Sequence, residues 1–350
     1  MIHSTGYAAH SANEALKPYE FERRAPAANE VLIDIHYCGI CHADIHQSKN
    51  EYGHTVYPLV PGHEIVGRIK AVGPKVSRFK INELVGVGYF IDSCRHCSNC
   101  EEGDEQYCDR GITPTQNGVL ADGSVTKGGY SDCIVVNENY VLKIAETLRT
   151  EEVAPLLCAG ITAYSPLKHW KVGKGHKVAI LGLGGVGHMA VRFAAAFGAE
   201  VTVISSSPKK KVSAALLGAT NFIVHTDGNA MKQHRSSFDF IINTVSAKHD
   251  YNVYLGLLKK GGTMVLLGVP PEAPQLAAYQ LIAKRRNISG SFTGGIEETQ
   301  EMLDYCADNN ITAVVELIKH QNINEAFERT LKGDVRYRFV IDMKELKNKL

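Results

Sequence analysis

The segment KVAILGLGGVGHMAVRFAAAFGAEVTVISSSPKKK, residues 177–211, decides the fold of the second half of this 350-residue chain. An apolar strand runs into Gly182, Gly184 and Gly187, spaced G-x-G-x-x-G, and an amphipathic helix and a second strand follow. Glycines at this spacing permit a tight turn and let a pyrophosphate approach the backbone and the helix N-terminus. The segment therefore predicts a dinucleotide-binding unit, with an ordinary glycine-rich turn of an α/β sheet as the alternative.

The end of the second strand indicates which nicotinamide cofactor the segment binds. An acidic residue there would hold the ribose 2′-hydroxyl of NAD, but Glu200 precedes the strand VTVIS instead of ending it. Three serines end the strand and three lysines follow Pro208; hydroxyls and positive charge suit the 2′-phosphate of NADP. Alternatively, the serines and lysines form an exposed helix start with serine as its N-cap, and such a helix start would fit either cofactor. The residues of this segment predicted to contact NADP(H) are Gly182, Leu183, Gly184, Gly185, Val186, Gly187, Ser205, Ser206, Ser207, Lys210 and Lys211.

The predicted secondary-structure pattern divides the chain into two parts. Up to about residue 150, short β-like runs such as VLIDIHY at 31–37 and EIVGRIKAVG at 64–73 are broken by Gly and Pro. From about 176, strand and helix patterns alternate, which predicts a doubly wound parallel sheet. Two helical segments and a strand, RYRFVID, close the chain after about 295. The sequence predicts two domains with a boundary near 150–160.

The amino-acid composition indicates which binding partners and which cellular compartment to expect. The chain is 44% hydrophobic, and 38 basic against 37 acidic residues leave a net charge of +1, which argues against a disordered chain and a nucleic-acid partner. No apolar run approaches a membrane helix and no signal peptide is recognisable, so we expect no membrane and a cytoplasmic location. Nine cysteines, an odd number, argue against a disulfide framework. We therefore expect a small-molecule partner and bound metal.

A cysteine-rich loop contains the strongest metal signal. Cys94, Cys97, Cys100 and Cys108 are spaced C-x-x-C-x-x-C-x7-C. Four thiolates satisfy the tetrahedral preference of a closed structural zinc site, which leaves no position for substrate. An iron–sulfur cluster also accepts four thiolates. The long last gap and the lack of a second cysteine-rich run favour zinc.

A looser set of residues has the composition of a catalytic zinc site. Cys41 lies in YCGICHADIH, His63 and Glu64 in VPGHEIVG, and Cys158 in PLLCAGIT. A catalytic zinc takes two or three strong protein ligands and keeps one exchangeable position. Taken alone, each of these residues is weak evidence for a zinc site. A lone Cys is usually a buried residue that packs like an apolar one, and a lone His usually lies in a turn.

Longer blocks of sequence resemble a known family. GHEIVGRIKAVG, the four-cysteine lobe, PLLCAGITAYSPL, LGLGGVGHMAV, SSSPKKK, GGIEETQEML and DVRYRFVID resemble the zinc-dependent medium-chain alcohol dehydrogenases, in particular the NADP-dependent cinnamyl alcohol dehydrogenase group and its bacterial aldehyde-reductase relatives. The resemblance implies a GroES-like β catalytic domain at 1–157 with a zinc lobe at about 94–108, a doubly wound Rossmann domain at 158–294, and a return to the catalytic domain at 295–350.

The resemblance also implies individual roles. Cys41, His63 and Cys158 would hold the catalytic zinc, with Glu64 as an exchangeable ligand, and Asp44 would orient the histidine. Two histidines on the same segment have family counterparts that face the cofactor pyrophosphate and end a proton relay; these are His42 and His46 respectively. Further cofactor contacts that only the resemblance suggests are Thr162, Thr244, Gly268, Ser291, Phe292 and Thr293.

The function expected from the resemblance is the interconversion of primary alcohols and aldehydes, aromatic or medium-chain, by hydride transfer with NADP(H). Two zinc ions per chain and a homodimer joined through the strand NISGSF are expected with it. One rival is a zinc-free quinone or enone reductase on the same scaffold, which predicts missing zinc ligands. Another is a non-enzymatic zinc-ribbon interaction protein, which predicts a basic face with interleaved aromatics.

Two departures from the family pattern affect the expected chemistry. Thr113 stands where the lignin-making enzymes have an aromatic residue, so a narrow preference for cinnamyl rings is not expected; the side chains expected to line the cleft are Tyr52, His54, Ile112 and Phe292. Ala43 stands where the family has the Ser or Thr that takes the alcohol proton. Either an ordered water replaces this hydroxyl or the relay is broken and turnover is slow.

Overall fold

A computed structural model describes residues 1–346 of the chain and divides into two compact units. One unit contains Met1–Ile161 together with the chain from Gly294 onward, and the other is Thr162–Thr293. The last four residues of the predicted segment 295–350 lie outside the described residues. The predicted domain boundaries stay predictions of the sequence.

The strands and helices are numbered here in chain order. The strands are β1 (Ile2–Ala8), β2 (Lys17–Arg23), β3 (Glu30–Gly39), β4 (Ile65–Val72), β5 (Leu84–Val87), β6 (Phe90–Asp92), β7 (Thr113–Pro114), β8 (Cys133–Asn137), β9 (Leu142–Lys143), β10 (Lys177–Leu181), β11 (Glu200–Ser205), β12 (Asn221–Val224), β13 (Phe238–Asn243), β14 (Leu258–Leu266), β15 (Asn287–Gly290), β16 (Val315–Lys319) and β17 (Arg338–Asp342). The helices are α1 (His42–Ser48), α2 (Ser98–Glu101), α3 (Thr150–Val153), α4 (Ala159–His169), α5 (Gly185–Ala196), α6 (Lys211–Leu216), α7 (Gly228–Gln233), α8 (Tyr251–Leu255), α9 (Ala278–Ile282), α10 (Ile296–Asn309) and α11 (Ile323–Leu331).

The first unit is built on a seven-stranded sheet. Its order is β16-β17-β3-β4-β5-β9, and β8 pairs with β3 outside this path. Residues of β3 such as Val31, Ile33 and Ile35 are fully buried in the core of this unit. The strand order joins segments far apart in sequence, because β17 pairs antiparallel with β3 and places Val340 opposite Gly39. An antiparallel hairpin of β1 and β2, which the sequence did not predict, precedes the sheet.

The second unit is a six-stranded parallel sheet in the order β12-β11-β10-β13-β14-β15. The chain proceeds outward from β10 in one direction and returns to β13 on the other side, so the strand order reverses between β10 and β13. Open α/β sheets bind ligands at such a point, outside the carboxyl ends of the strands. Apolar residues of the central strands, including Leu181, Ile204 and Ile241, form the core of this unit. Within residues 1–346, none of the helices has the length and apolar character needed to cross a membrane.

Candidate functional site

Four side chains that are distant in sequence form a potential metal centre in the first unit. The ligand atoms of Cys41, His63, Glu64 and Cys158 all lie within 4.8 Å of one another. The two sulfurs are 4.0 Å apart, and the Nε2 atom of His63 lies 3.3 Å from the sulfur of Cys158. Zinc bonds of about 2.3 Å to sulfur and 2.0–2.1 Å to nitrogen place tetrahedral S···S pairs about 3.8 Å apart and N···S pairs about 3.5 Å apart. The donor set therefore fits a tetrahedral zinc ion.

Local structure fixes each of these side chains. Cys41 is the N-cap residue of α1, immediately after β3 ends. The N–H of Gly39 donates to the carbonyl of Glu64 at 3.0 Å, which joins the end of β3 to the start of β4 and brings His63 and Glu64 to the same place. Cys158 follows a 3₁₀ turn that contains Pro155, and its N–H donates to the Pro155 carbonyl at 3.3 Å. Backbone hydrogen bonds thus organise the cluster.

Asp44 connects the histidine to the start of α1. Its Oδ1 atom lies 2.7 Å from Nδ1 of His63, and both side chains are fully buried. Its Oδ2 atom accepts a hydrogen bond of 2.8 Å from the backbone N–H of Cys41, so Asp44 also caps the helix. The carboxylate keeps the proton on Nδ1, and Nε2 stays free to ligate a metal. Burial opposes protonation of the imidazole, but the charge and hydrogen bond of Asp44 outweigh it and raise the pKa of His63.

A fifth residue, Arg338, completes the cluster, and no motif in the sequence pointed to it. Its Nη2 atom lies 3.0 Å from Oε1 of Glu64 and 3.4 Å from the sulfur of Cys41. The guanidinium is 4% exposed and the carboxylate 0%. The register of β17 on β3 explains the contact, since Val340 opposes Gly39 and Arg338 therefore points to the chain two residues beyond it. An arginine beside the apolar run FVI, fully within a strand that is mostly buried, was the available signal.

The electrostatics of the cluster favour a bound cation. Burial raises the pKa of Glu64 to about 7, against the opposing charge of Arg338. A hydrogen bond with the Cys158 thiol lowers the pKa of Cys41, and Arg338 acts in the same direction. Neither oxygen of Glu64 has a hydrogen-bond partner within residues 1–346, although Arg338 lies 3.0 Å from Oε1. A buried carboxylate without hydrogen bonds is costly, and a divalent cation would offset that cost.

The second potential metal centre is the predicted cysteine lobe. The sulfurs of Cys94, Cys97, Cys100 and Cys108 lie within 4.8 Å of one another, and those of Cys94 and Cys100 are 3.9 Å apart. Cys97 is the N-cap residue of the short helix α2, so the helix begins at the cluster. Four thiols with tetrahedral spacing and no other ligand type fit a closed structural zinc site.

His42, predicted to face the cofactor pyrophosphate, and His46, predicted to end the proton relay, both lie on α1. His42 is exposed and His46 half-buried, and their rings are 6.1 Å apart. The Nδ1 atom of His46 contacts the carboxylate of Glu51, a partner that the sequence did not suggest. Ala43 is half-buried between the cysteine and Asp44. The segment therefore offers a histidine–carboxylate pair but no hydroxyl at position 43.

The glycine-rich turn of the second unit joins β10 to α5. Gly182 has φ of +89°, a conformation that glycine tolerates without strain. A Cβ atom on Gly187 would lie 2.2 Å from the Gly182 carbonyl oxygen, so only glycine allows this close approach. At Gly184, the N-cap of α5, a Cβ atom would meet nothing within 4 Å. The turn therefore leaves open space beside a helix N-terminus, which fits a pyrophosphate.

The serines and lysines at the end of β11 differ in exposure. Ser205 is buried, Ser206 is exposed, and Ser207 donates its N–H to the Ser205 hydroxyl at 3.3 Å. Lys210 donates from Nζ to the carbonyl of Leu183 at 2.8 Å, and burial lowers its pKa. Lys211 is exposed. Lys210 is thus the lysine of this run that reaches the glycine-rich turn.

The remaining cofactor predictions occupy the carboxyl ends of neighbouring strands. Thr244 follows β13 and donates to the Leu181 carbonyl at 2.9 Å. Gly268 follows β14, where a Cβ atom would lie 2.5 Å from the backbone of Val245. The residues after β15 are the half-buried Ser291, the exposed Phe292 and the buried Thr293. Thr162 lies on α4. The carboxyl ends of the strands form the edge at which a doubly wound sheet binds its ligand.

Comparison with known families matches both units. Residues 27–146 match the alcohol dehydrogenase GroES-like domain, and residues 185–308 match the zinc-binding dehydrogenase domain. The predicted combination of a GroES-like domain and a Rossmann-type domain is thereby confirmed.

Individual proteins are similar over nearly the full chain. NADP-dependent alcohol dehydrogenase C 1 of Mycolicibacterium smegmatis is 51% identical, and the alignment covers 98% of this chain and 99% of that protein. Aldehyde reductase YahK of Escherichia coli is 50% identical, with 97% of each chain covered. A solved cinnamyl alcohol dehydrogenase of Helicobacter pylori, complexed with NADP(H), is 44% identical with a TM-score of 0.93 and coverage of 98% of this chain and 99% of that one.

Proposed function

Because this chain belongs to the zinc-binding dehydrogenases with a GroES-like domain, we propose that Cys41, His63 and Cys158 hold its catalytic zinc, with Glu64 as an exchangeable fourth ligand. The chain is a zinc-type, NADP-dependent oxidoreductase of alcohols and aldehydes. The observation that carries the site assignment is the convergence of these four ligand atoms within 4.8 Å. The rival zinc-free reductase predicts missing ligands, and all of them are present.

The bound groups supply the reactive chemistry, in which zinc acts as a Lewis acid on the substrate oxygen and NADP(H) accepts or donates the hydride. The residues of the chain position these groups. Asp44 holds His63 in one tautomer through the 2.7 Å contact to Nδ1. Arg338 pairs with Glu64 and contacts Cys41, so it offsets part of the negative charge of the ligand set.

A proton leaves or enters with each turnover, and we propose that His46 and Glu51 exchange it with solvent. Their contact and the half-buried position of His46 suit this role. Ala43 has no group that moves a proton, so an ordered water takes the place of the missing hydroxyl. The missing hydroxyl lowers the rate of alcohol oxidation near neutral pH, where solvent hydroxide is scarce.

We propose that the lobe of Cys94, Cys97, Cys100 and Cys108 binds a structural zinc ion. On the cofactor side, Ser206 and Lys210 select NADP. Ser206 is an exposed hydroxyl at the end of β11, where an NAD-specific site has a carboxylate, and Lys210 adds a cation beside the glycine-rich turn. For substrate we propose medium-chain or aromatic aldehydes and the corresponding primary alcohols. The relatives named as an alcohol dehydrogenase, an aldehyde reductase and a cinnamyl alcohol dehydrogenase support this class.

The experiment that tests this function combines cofactor and substrate specificity. Purified protein with stoichiometric zinc is assayed with NADPH and with NADH against straight-chain, benzylic and cinnamyl aldehydes. We expect NADPH oxidation with several aldehydes and little with NADH. Equal rates with both cofactors would contradict the role of Ser206 and Lys210, and no turnover of any aldehyde would contradict the substrate class.

We also propose a homodimer and a cytoplasmic location. Strand β15 is the edge of the six-stranded sheet, so its free backbone groups can pair with a second copy. The chain between β14 and β15 carries exposed apolar side chains, with Val269 81%, Tyr279 76% and Ile282 74% exposed. Light scattering after gel filtration tests the dimer; a monomer for both wild type and Tyr279→Glu would contradict it. Fractionation of the source cells tests the location.

A further inference from the structure

Tyr130 lies beside the proposed catalytic zinc site, and no part of the function described above uses it. Its side chain is 0% exposed. Its hydroxyl donates a hydrogen bond of 3.1 Å to Oδ2 of Asp44, the carboxylate that holds His63. A phenol buried this deeply normally has a hydrogen-bond partner, and here the partner is Asp44, which links α1 to His63.

The surrounding backbone fixes the position of the Tyr130 ring. The N–H of Tyr130 donates to the carbonyl of Pro61 at 2.8 Å, and its carbonyl accepts from the N–H of Tyr7 at 2.9 Å. A Cβ atom on Gly62 would lie 2.6 Å from Cδ1 of Tyr130, so the ring packs against the residue that precedes His63. Tyr130 is therefore attached to the same loop as the histidine and cannot shift independently of it.

Three donors converge on Asp44. Oδ1 contacts Nδ1 of His63, and Oδ2 accepts from the N–H of Cys41 and from the hydroxyl of Tyr130. The side chain of Gln116 contacts the same loop, where its Oε1 accepts from the Gly62 N–H at 2.6 Å. Its Nε2 lies 3.4 Å from Nδ1 of His63.

We propose that Tyr130 is a positioning residue for the catalytic zinc site, holding the Asp44 carboxylate in the orientation that directs Nε2 of His63 toward the thiols. Without the phenol hydroxyl, Oδ2 has a single donor and a buried lone pair is left without a partner. The carboxylate can then rotate, and the His63 contact weakens. The inference rests on the proposed assignment of zinc to Cys41, His63 and Cys158.

The test is Tyr130→Phe, which keeps the ring and removes the hydroxyl. Its matched control is Tyr7→Phe, which removes a hydroxyl that lies 3.1 Å from Nδ1 of the buried His320 and does not touch Asp44. The dissociation constant of the catalytic zinc is measured by competition with a chelator, and the visible spectrum is recorded after cobalt replaces that zinc. Direct partners of metal-bound histidine typically contribute about 10- to 100-fold to metal affinity. Tyr130 acts one bond further away, so we expect a weakening of about three- to tenfold and a shifted cobalt spectrum.

The control separates positioning from packing. Tyr7→Phe is expected to lower thermal stability as Tyr130→Phe does while leaving the zinc dissociation constant and cobalt spectrum unchanged. If both readouts of Tyr130→Phe equal those of wild type, Tyr130 does not position the site. If wild-type protein holds one zinc, bound by the cysteine lobe alone, the proposed function fails instead.

Discussion

The guanidinium of Arg338 lies 3.0 Å from the carboxylate of Glu64, and both side chains are buried. The sulfurs of Cys41 and Cys158 and the carboxylates of Glu64 and Asp44 interact electrostatically with this guanidinium. Burying a charge is tolerable when a partner and hydrogen bonds compensate it, so each member of the pair depends on the other. The pair also ties β17, near the end of the chain, to the proposed metal centre.

Replacing Arg338 by methionine should strongly destabilise the protein. The change removes the arginine partner of the buried Glu64 carboxylate, and breaking a buried ion pair on one side typically costs about 3–5 kcal/mol of unfolding free energy. Urea denaturation in excess zinc measures this loss. The double variant Arg338→Met with Glu64→Gln should recover part of it, because no uncompensated charge then remains.

The control for Arg338 is Arg68→Met. Arg68 forms an ion pair of 2.8 Å with Glu146, whose side chain is 64% exposed. Exposed pairs contribute about 0.2–1 kcal/mol, so this variant should lose little. A loss equally small for Arg338→Met would show that the buried pair does not stabilise the site.

Introducing a carboxylate at Ser206 should change cofactor preference. Ser206 is exposed at the end of β11, and Ser206→Asp places a negative charge where the 2′-phosphate of NADP is expected. We expect the KM for NADPH to rise at least tenfold, roughly 1.4 kcal/mol, with an unchanged or lower KM for NADH. Ser206→Ala removes the hydroxyl without adding charge and should have a smaller effect. The cofactor proposal is wrong if Ser206→Asp leaves both KM values unchanged.

Restoring a hydroxyl at position 43 should accelerate alcohol oxidation at neutral pH. Ala43 precedes Asp44 on α1 and carries no proton-transfer group. Positioned proton transfer typically contributes about 10²- to 10⁴-fold, part of which an ordered water supplies here. We expect Ala43→Ser to raise kcat more at pH 7 than at pH 10, where hydroxide from solvent takes the proton. Ala43→Gly, which adds no hydroxyl, is the control.

A deuterated alcohol shows whether hydride transfer limits the rate in these variants. If hydride transfer is limiting and Ala43→Ser gains nothing at either pH, a hydroxyl at position 43 is not needed.

Local sequence predicted the parts of the molecule that depend on local geometry. The glycine spacing at 182–187, between an apolar strand and an amphipathic helix with a second strand after it, suffices to predict the βαβ unit, because these parts are contiguous in sequence. The cysteine lobe is equally local. Arg338 and Tyr130 were not predicted, because strand register and loop packing bring them to the site. Arg338 is 297 positions from Cys41, and Tyr130 is 86 positions from Asp44. The β1–β2 hairpin was not predicted because β1 mixes polar and apolar residues without clear alternation, and the alternation in β2 is confined to the short run YEFE.

The family resemblance, rather than the residues alone, predicted the dispersed zinc ligands. Cys41, His63 and Cys158 lie on a helix start, a strand start and a 3₁₀ turn, and no spacing rule connects these elements. Their convergence depends on the folded sheet, and so the sequence offered only weak single signals. The Glu51 partner of His46 was missed for a simpler reason, since its carboxylate lies in an exposed turn of ordinary composition.

The zinc content of wild type and of Cys158→Ser, determined by elemental analysis alongside NADPH-dependent aldehyde reduction, tests the proposed catalytic zinc site most directly. We predict two zinc ions per chain in wild type, and one zinc with a normal fold and almost no turnover in Cys158→Ser, because the cysteine lobe binds its ion independently. Cys97→Ser should instead impair folding, since structural zinc contributes folding free energy. Two zinc ions and wild-type rates in Cys158→Ser would contradict the proposed catalytic site.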